Sequence, residues 1–389
     1  MNDNHHFVLY ISALYHDQNS YFGITKYNAN QTGFFSNIQY EFNYGKHDLK
    51  TGISYRHLNL DENISFTDTL LSSRNYNGIY QKTENIPGVF AENTLNMAHD
   101  KITWIKGIRV DHHNEHGLIV TPRTLMKFSV TPQSTLRANI GFGWRTVNFF
   151  SENTGLLASS RNIVFAEELK PEKAINYGIN FTQKFHLFTD LTGHFTTDFY
   201  RTDFINQVFP DYDTDPALAI LRNYSGESES NGFQAELLIN FGEKLEIKTG
   251  YNYLDVYRKT GESKTLLPFN SKHRVLGTIS YQPVKDKLFI DVNAHWYGEQ
   301  RLPDTKKSPE EFRRPDFLNH CTDEWSITYA FKMVELYAGI ENLLNFRQDK
   351  PIISWQNPFG PYFDTSSVWG PTKGREFYAG LRFKLKEVH

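Results

Sequence analysis

Two short segments carry the residue types that hold metal ions. The first, residues 111–116, reads Asp-His-His-Asn-Glu-His, and imidazole and carboxylate groups together suit zinc, copper or iron. In a β-strand, His112 and His113 point to opposite faces, so both would bind one ion only where the chain turns. Residues 114–117 have the composition of a hairpin turn. His112, His113 and His116 are therefore candidate metal ligands, and the simpler interpretation is the polar tip of a hairpin.

The second segment, residues 211–215, reads Asp-Tyr-Asp-Thr-Asp and begins like a calcium-binding loop. An EF-hand loop needs Gly at its sixth position and Glu at its twelfth. This chain has Pro216 and Arg222 there, which excludes an EF-hand. A looser extracellular calcium site is still possible, and its candidate ligands are the three carboxylates Asp211, Asp213 and Asp215. The simpler interpretation is a solvated acidic loop.

The chain contains no sequence motif of a metalloprotease, a serine hydrolase or a Cys–His nucleophile. Residues 370–375, Gly-Pro-Thr-Lys-Gly-Arg, lack the spacing of a phosphate-binding loop. The single cysteine, Cys321, excludes an intramolecular disulfide framework and a cysteine-based structural zinc site. We therefore predict that the protein is not an enzyme and has no cofactor.

The elements that position these residues have a period of 2, the period of β-strands. Over residues 135–145 an apolar residue stands at every second position, from Leu136 to Trp144, with polar residues or glycine between. A helix would need a period of about 3.6. The same alternation recurs in three further segments: 233–241, 290–297 and 377–385.

The connections between the predicted strands are of two lengths that alternate. Long stretches rich in Asn, Ser, Pro, Asp and Gly lie near 59–86, 148–169, 203–225, 259–270, 300–318 and 347–372. Short turns at one end and long loops at the other are typical of outer-membrane barrels. The alternation predicts about 16 strands, near 5–16, 32–44, 47–58, 88–98, 101–113, 117–130, 135–147, 172–184, 187–201, 229–241, 245–257, 272–282, 287–298, 321–331, 334–344 and 374–385.

The composition agrees with a membrane barrel. Aromatic residues make up 15% of the 389 residues, although the mean hydropathy of −0.54 is that of a soluble protein. In a barrel, apolar side chains that face lipid and polar side chains that face a hydrated interior together give such a mean hydropathy. No apolar run approaches the roughly 18 residues of a membrane helix. The net charge of −3 offers no basic footprint for nucleic acid.

A sheet in lipid must pair all of its backbone groups internally, so it has to close on itself. One face of the closed sheet then meets lipid and the other meets water. We expect charged residues to face a hydrated interior, among them Arg137, Glu236, Asp291 and Arg382. We expect aromatic residues near strand ends to form an interfacial girdle, among them Trp144, Trp296, Tyr251, Tyr253 and Tyr257.

Seven segments of the chain resemble segments of a known protein family and follow one another in the same order. They are 107–113 (GIRVDHH), 121–128 (TPRTLMKF), 136–145 (LRANIGFGWR), 168–172 (ELKPE), 176–179 (NYGI), 339–345 (GIENLLN) and 370–385 (GPTKGREFYAGLRFKL). Together they resemble the barrel of a TonB-dependent outer-membrane receptor of the type common in Bacteroidetes. Residues 1–106 fit less specifically. The last strand also resembles the outer-membrane assembly signal, with Gly380, Phe383 and Leu385 at the expected spacing, although this chain continues to His389.

The resemblance implies an all-β fold, a transmembrane antiparallel up-and-down β-barrel. Such receptors normally have about 22 strands around a plug domain, preceded by a TonB box and a signal peptide. Here about 16 strands are found and none of the other parts. We therefore expect residues 1–389 to be one partial barrel, a C-terminal fragment without plug or signal peptide. An even number of missing strands leaves the first strand rising from the periplasm and the last returning to it.

The resemblance also implies a function in the outer membrane of a Gram-negative cell. The complete protein would import a scarce nutrient, such as a ferric chelate, cobalamin, another metal complex or a glycan. Its partners would be outer-membrane lipid, the outer-membrane assembly machinery, a small nutrient ligand and the TonB–ExbB–ExbD system, reached through a plug that this chain lacks. No nucleic acid partner is expected.

The long loops carry the aromatic and arginine side chains that contribute most at binding surfaces. The candidate ligand contacts are Arg161, Tyr212, Arg222, Trp355, Phe359 and Tyr362. Their simpler interpretation is packing of the loops against each other. Two other functions are left open: a self-closed passive porin, since barrels of about 16–18 strands leave an aqueous channel, and a soluble extracellular β enzyme.

Overall fold

The computed structural model of the chain describes residues 4–68, 74–260 and 262–384, and its regular structure is almost entirely β-strand. The strands are β1 (His5–Phe22), β2 (Thr25–Tyr44), β3 (His47–Phe66), β4 (Gly78–Met97), β5 (Ile102–His113), β6 (Gly117–Ser129), β7 (Ser134–Arg145), β8 (Asn162–Phe165), β9 (Glu172–Phe188), β10 (Leu191–Ile205), β11 (Leu218–Leu221), β12 (Glu227–Phe241), β13 (Leu245–Thr260), β14 (Ser263–Leu266), β15 (His273–Val284), β16 (Leu288–Arg301), β17 (Phe317–Ala330), β18 (Val334–Glu341) and β19 (Glu376–Phe383). Two short helices, α1 (Phe149–Glu152) and α2 (Thr154–Ala158), and a 3-10 turn, Glu310–Phe312, lie in loops. Within the described ranges, no helix has the length and apolar character needed to cross a membrane.

Seventeen strands form one antiparallel sheet, in which each long strand pairs with the next long strand along the chain. The short strand β14 extends β13 as a hairpin. β8 and β11 form a separate parallel pair within the loops. This order confirms the predicted all-β, up-and-down architecture.

The connections define two ends of the sheet. At the short-turn end, chain reversals of two to four residues occupy 45–46, 98–101, 130–133, 189–190, 242–244, 285–287 and 331–333. At the long-loop end, the major connections include 146–171, 206–226, 302–316 and 342–375, whereas 23–24 and 114–116 are tight turns. The first strand starts, and the last strand stops, at the short-turn end, as predicted.

Within the described residues, the sheet is open between its first and last strands. β1 has a hydrogen-bonded neighbour on one side only, β2, and β19 likewise has only β18 among the described residues. Most side chains of both strands are exposed. The direction of the two strands would allow them to pair antiparallel, yet no ladder joins them within residues 4–68, 74–260 and 262–384.

The two faces of the sheet differ as predicted. On β15 the outward side chains Val275, Ile279 and Tyr281 are apolar and exposed. The intervening Ser280 faces inward and donates a hydrogen bond to Asp291, with 2.7 Å between Oγ and Oδ1. The four charged residues predicted to face the interior lie on this polar face and contact polar partners there: Arg137 with Asn180, Glu236 with Lys248, Asp291 with Ser280, and Arg382 with Glu335.

The predicted loop at 59–86 is wrong for most of its length. β3 continues to Phe66 and β4 begins at Gly78, while residues 69–73 lie outside the described residues. The composition of 59–66 is polar, but Leu60, Glu62 and Ile64 alternate inward and are buried. Beyond the lipid both faces of a strand can be polar, so composition alone cannot distinguish such a strand from a loop.

The predicted girdle is also wrong at two positions. Trp144 lies past Gly141, where the pairing of β7 with β6 ends, and its ring packs on His113 at 5.9 Å between centroids. Tyr257 is buried beneath Lys264, whose Nζ lies 3.7 Å from the ring centroid. Trp296, in contrast, is exposed on the outward face, as a girdle residue should be.

Candidate functional site

The long loops pack together at the long-loop end and against the inner face of β2 and β3, and this loop cap has its own apolar core. The connection 146–171 supplies Phe149, Phe150 and Leu157, and the connection 206–226 supplies Ala219 and Leu221. They pack on inward side chains at the upper ends of β2 and β3: Tyr27, Ala29 and Ile64. Burial of this apolar surface gives the loops a fixed arrangement without regular secondary structure.

A buried ion pair ties together loops that are far apart in the sequence. In Arg161, on the β7–β9 connection, Nε and Nη2 each lie 2.8 Å from Oδ2 of Asp364, on the β18–β19 connection. Ser159 Oγ donates to the other oxygen of Asp364 at 3.0 Å. Arg161 Nη1 donates to the carbonyl oxygen of Leu218 at 2.9 Å, so a third loop joins the contact. Arg161 is 1% exposed, and its contacts fix the three loops to one another.

A second, partly exposed ion pair fixes the β10–β12 connection to the wall. Arg301, at the end of β16, makes a bidentate contact with Asp213, with Nη1–Oδ1 at 2.9 Å and Nη2–Oδ2 at 2.8 Å. The backbone N–H of Asp304 also donates to Asp213 at 2.8 Å. A planar guanidinium fork matches a carboxylate in this geometry and orients it.

The other two carboxylates of the calcium-like segment accept hydrogen bonds from their own loop. Asp211 accepts from the Thr214 hydroxyl at 2.7 Å and from the backbone N–H of Asp213. Burial alone would raise the pKa of Asp211, but the hydrogen bonds from Thr214 and Asp213 outweigh burial and hold its pKa below the usual range. Asp215 accepts from the backbone N–H of Ala217 at 2.8 Å.

The histidine segment forms the tight hairpin that the sequence predicts. His113 faces inward and is buried, and its Nδ1 accepts hydrogen bonds from the backbone N–H groups of Glu115 and His116. Its Nε2 therefore carries the proton of the neutral ring and lies 3.7 Å from Glu84 Oε1. His116 packs on His113 at 4.6 Å between centroids, whereas His112 is exposed on the opposite face.

Across the described ranges, no three side chains of His, Cys, Asp or Glu come together as a group able to hold a metal ion. The six candidate ligands lie in two places, the β5–β6 hairpin and the β10–β12 connection. The metal sites stay predictions that the geometry described above does not support.

The six candidate ligand contacts separate into buried and accessible groups. Arg161 and Tyr212 are buried in the cap, with the guanidinium 5.3 Å from the tyrosine ring centroid. Burial raises the pKa of Tyr212 to about 12. Four others are exposed at the long-loop end: Arg222, Trp355, Phe359 and Tyr362. Ligand contact therefore stays a direct prediction for these four, whereas Arg161 and Tyr212 would contact a ligand only after the cap opens.

A further set of residues, which sequence reasoning missed, lines a cavity of about 350 Å³ on the inner face. This wall pocket is formed by side chains from five neighbouring long strands: Tyr200, Gln234, Asn252, Arg274, His295 and Tyr297. The strand register places Asn252, Arg274 and Tyr297 directly side by side. Alternation alone signals that these residues face inward, but only the register shows that they are neighbours.

The predicted assembly signal lies on the final strand. Phe383 is exposed on the outward face of β19. At Gly380 a Cβ would lie 2.3 Å from the hydroxyl oxygen of Tyr337, so glycine allows this tyrosine to pack across β19. Leu385 lies outside the described residues.

Comparison with known proteins agrees with this geometry. Residues 2–343 match the sequence model of the family described as TonB dependent receptor-like, beta-barrel. A curated relative, the iron-regulated outer membrane virulence protein of Vibrio cholerae serotype O1, is 25% identical over 77% of this chain and 46% of its own length. The chain thus spans about half the length of the curated relatives it matches.

Two solved structures with the same fold are larger than this chain. The ferric enterobactin receptor of Pseudomonas aeruginosa, in a mutant form, matches 97% of this chain and 62% of its own, with TM-score 0.63 and 15% identity. The copper transporter OprC matches 98% and 63%, with TM-score 0.67 and 13% identity. At these identities the likeness extends to the fold alone.

Proposed function

The chain belongs to the family of TonB-dependent receptor-like β-barrels, and from this membership we propose that it forms the wall and outer loops of a receptor that imports a scarce nutrient. Its place is the outer membrane, the compartment of its named relatives. The observation that carries the proposal is the loop cap. Connections from distant parts of the sheet meet at the long-loop end and pack against inward side chains of β2 and β3, where the entrance of a gated receptor would lie.

Among the candidate nutrients, a metal chelate has the best support, and iron is foremost. A relative is named for iron regulation, and structures of the same fold include a ferric enterobactin receptor and a copper transporter. Cobalamin and a glycan have no comparable support. The Bacteroidetes type of the family stays a prediction.

We propose that energy coupling comes from outside the described residues. Those residues form wall and loops, and both edges of the sheet, β1 and β19, are unpaired there. An even number of further strands would join the two edges, and a plug within the completed barrel would reach the TonB–ExbB–ExbD system. The shorter length of the chain relative to its matches supports this view.

The proposed cycle uses binding and movement, without covalent chemistry. Trp355, Phe359 and Tyr362 are exposed on the longest connection and would make first contact with a ligand. The Arg161–Asp364 pair would then separate as the cap opens, exposing the inner wall. Opening must replace a buried ion pair, so ligand contacts formed in the open state have to offset that cost.

The two alternatives fit the structure less well. A self-closed porin needs paired edges and an unobstructed mouth, whereas here the described edges are unpaired and the loop cap occupies part of the long-loop end. A soluble enzyme would not present an outward band that includes Val275, Ile279, Trp325 and Ile327 to water.

Uptake of radioactive iron tests the proposal. Cells of the source organism lacking this gene should accumulate ferric chelate more slowly than parent cells, and loss of TonB should reduce uptake equally without further loss in the double mutant. A passive pore would show uptake that does not saturate with chelate concentration and does not depend on TonB. That outcome would replace the receptor with the porin.

A further inference from the structure

Arg274 is an inward-facing cation for which the described chain provides no anionic partner. Its Nε is buried and has no hydrogen-bond partner within those ranges, and its nearest ring contact is Tyr297, at 5.9 Å from the guanidinium to the centroid. Two other arginines of the inner face have carboxylate partners: Arg123 pairs with Glu92 and Arg382 with Glu335. A guanidinium without a counter-charge beside a cavity attracts an anion, which would approach its Nη1 and Nη2 groups because Nε is enclosed by protein.

The aromatic side chains around Arg274 are held in fixed positions. Tyr297 stacks on His320 with 4.5 Å between centroids and 8° between planes. His320 is held in turn by Phe346 and Trp369 of the β18–β19 connection, at 5.8 and 5.4 Å. The position of the Tyr297 ring is therefore fixed by its stack on His320. Arg274 lies near this ring within the wall pocket.

The opposite side of the wall pocket depends on a glycine. Tyr200 lies across Gly232, where a Cβ would be 2.1 Å from the tyrosine Cζ. Without that Cβ, the ring reaches over β12 toward Gln234 and Asn252, which also line the cavity. The wall pocket thus combines aromatic rings, two amides and one guanidinium.

The charge of the wall pocket is positive. Glu236 is the one carboxylate among the residues that line it, and Lys248 neutralises this carboxylate at 3.1 Å. Arg274 is the second residue of β15, close to the long-loop end of the sheet. A ligand that passed the cap would meet this positive site early on the inner wall.

We propose that the wall pocket binds an aromatic carboxylate group of the imported ligand, an inference that rests on the proposed receptor function. Nη1 and Nη2 of Arg274 each donate a hydrogen bond to one of the carboxylate oxygens. The Tyr200 ring stacks on the flat ring of the ligand. Gln234 and Asn252 exchange hydrogen bonds with hydroxyl groups on that ring.

A pair of probes that differ in charge but hardly in shape tests the site. The 389-residue chain, folded in detergent micelles, is titrated with 4-hydroxybenzoate and, separately, with 4-hydroxybenzamide by ligand-detected NMR. The carboxylate should bind saturably and at least about tenfold more tightly than the amide, because a charge-assisted bidentate contact is lost in the amide. Equal binding of the two probes, or no saturable binding of the carboxylate, overturns the proposal.

Substitutions locate the interaction. Arg274→Gln should weaken carboxylate binding about 10- to 100-fold, and Arg274→Lys should give an intermediate loss because it keeps the charge but not the fork. The matched control is Arg137→Gln, an arginine of the same face whose guanidinium is already bonded to Asn180. Carboxylate binding unaffected by Arg274→Gln in a protein with unchanged circular dichroism contradicts the assignment.

The site and the receptor can fail separately. If uptake saturates and needs TonB but the carboxylate and amide probes bind alike, the wall pocket is not an anion site and the receptor function stands. If uptake does not depend on TonB, the receptor function is wrong, and the carboxylate site then loses its role in import whatever the probes show.

Discussion

Asp364→Asn is expected to open the loop cap about 100-fold or more often than in the wild-type protein. The change keeps the shape of the side chain but leaves the buried Arg161 guanidinium without its counter-charge. Breaking a buried pair by removing one partner costs about 3–5 kcal/mol. Hydrogen exchange followed by mass spectrometry should show faster exchange in 155–165 and 208–222, the segments that Arg161 joins.

The control for this prediction is an ion pair at the other end of the sheet. Lys285 and Glu243 contact each other with both side chains largely exposed. Exposed pairs contribute little, so Glu243→Gln should leave exchange unchanged throughout. Exchange in the cap of Asp364→Asn that stays within about twofold of wild type would contradict the role given to the Arg161–Asp364 pair.

Ile279→Lys is expected to destabilise the folded chain in lipid by about 2–4 kcal/mol, the cost of a lysine near the middle of a lipid-facing band. Ile279 faces outward between Val275 and Tyr281, and its cross-strand neighbour on β16 is Val292. Unfolding by urea in phospholipid vesicles measures the change in free energy.

The matched control for Ile279→Lys is the adjacent residue. Thr278 faces the polar interior beside Asn293, so Thr278→Lys should change the free energy of unfolding by less than about 1 kcal/mol. If the two lysines had equal effects, the assignment of the faces would be wrong.

Alternation predicted the strands well because the solvent on each face imposes it. Within the lipid, one face of every strand must be apolar and the other faces water, so the alternation from Leu136 to Phe142 predicts their strand directly. The strand prediction fails where a strand extends beyond the lipid, because the two faces there no longer meet different solvents. In 59–66 both faces are outside the lipid, and buried Leu60 and Ile64 alternate with Asn59, Asp61 and Asn63 in a segment that otherwise has the composition of a loop.

The candidate site could be predicted only in part because it is built from distant contacts. Exposed aromatic residues such as Trp355 and Phe359 follow from composition and loop position. The partner of Arg161 does not, since Asp364 lies 203 residues further along the chain. Arg274 was identifiable as inward-facing by its parity, but its lack of a carboxylate partner depends on which residues the register sets beside it.

Trp144 illustrates how the end of a ladder changes a side chain's surroundings. Its position in the alternation predicts lipid contact, yet β7 loses β6 as a neighbour after Gly141. Trp144 Nε1 then lies 3.4 Å from Asp111 Oδ2, among polar inner-face residues. β6 continues to Gly117 in its pairing with β5, so β6 and β7 separate before either strand ends.

Cysteine cross-linking between β1 and β19 tests the central claim most directly, namely that these strands form an open wall that does not close on itself. In a Cys321→Ser background, Leu9→Cys is combined in turn with Ala379→Cys and Leu381→Cys, all on the outward face. The positive control pairs Leu336→Cys with Leu381→Cys, which lie opposite each other on β18 and β19. Oxidation should cross-link the control but neither β1–β19 pair, because a disulfide requires Cα atoms about 4.4–6.8 Å apart. A β1–β19 cross-link formed as efficiently as the control would show a closed barrel of these strands and contradict the account.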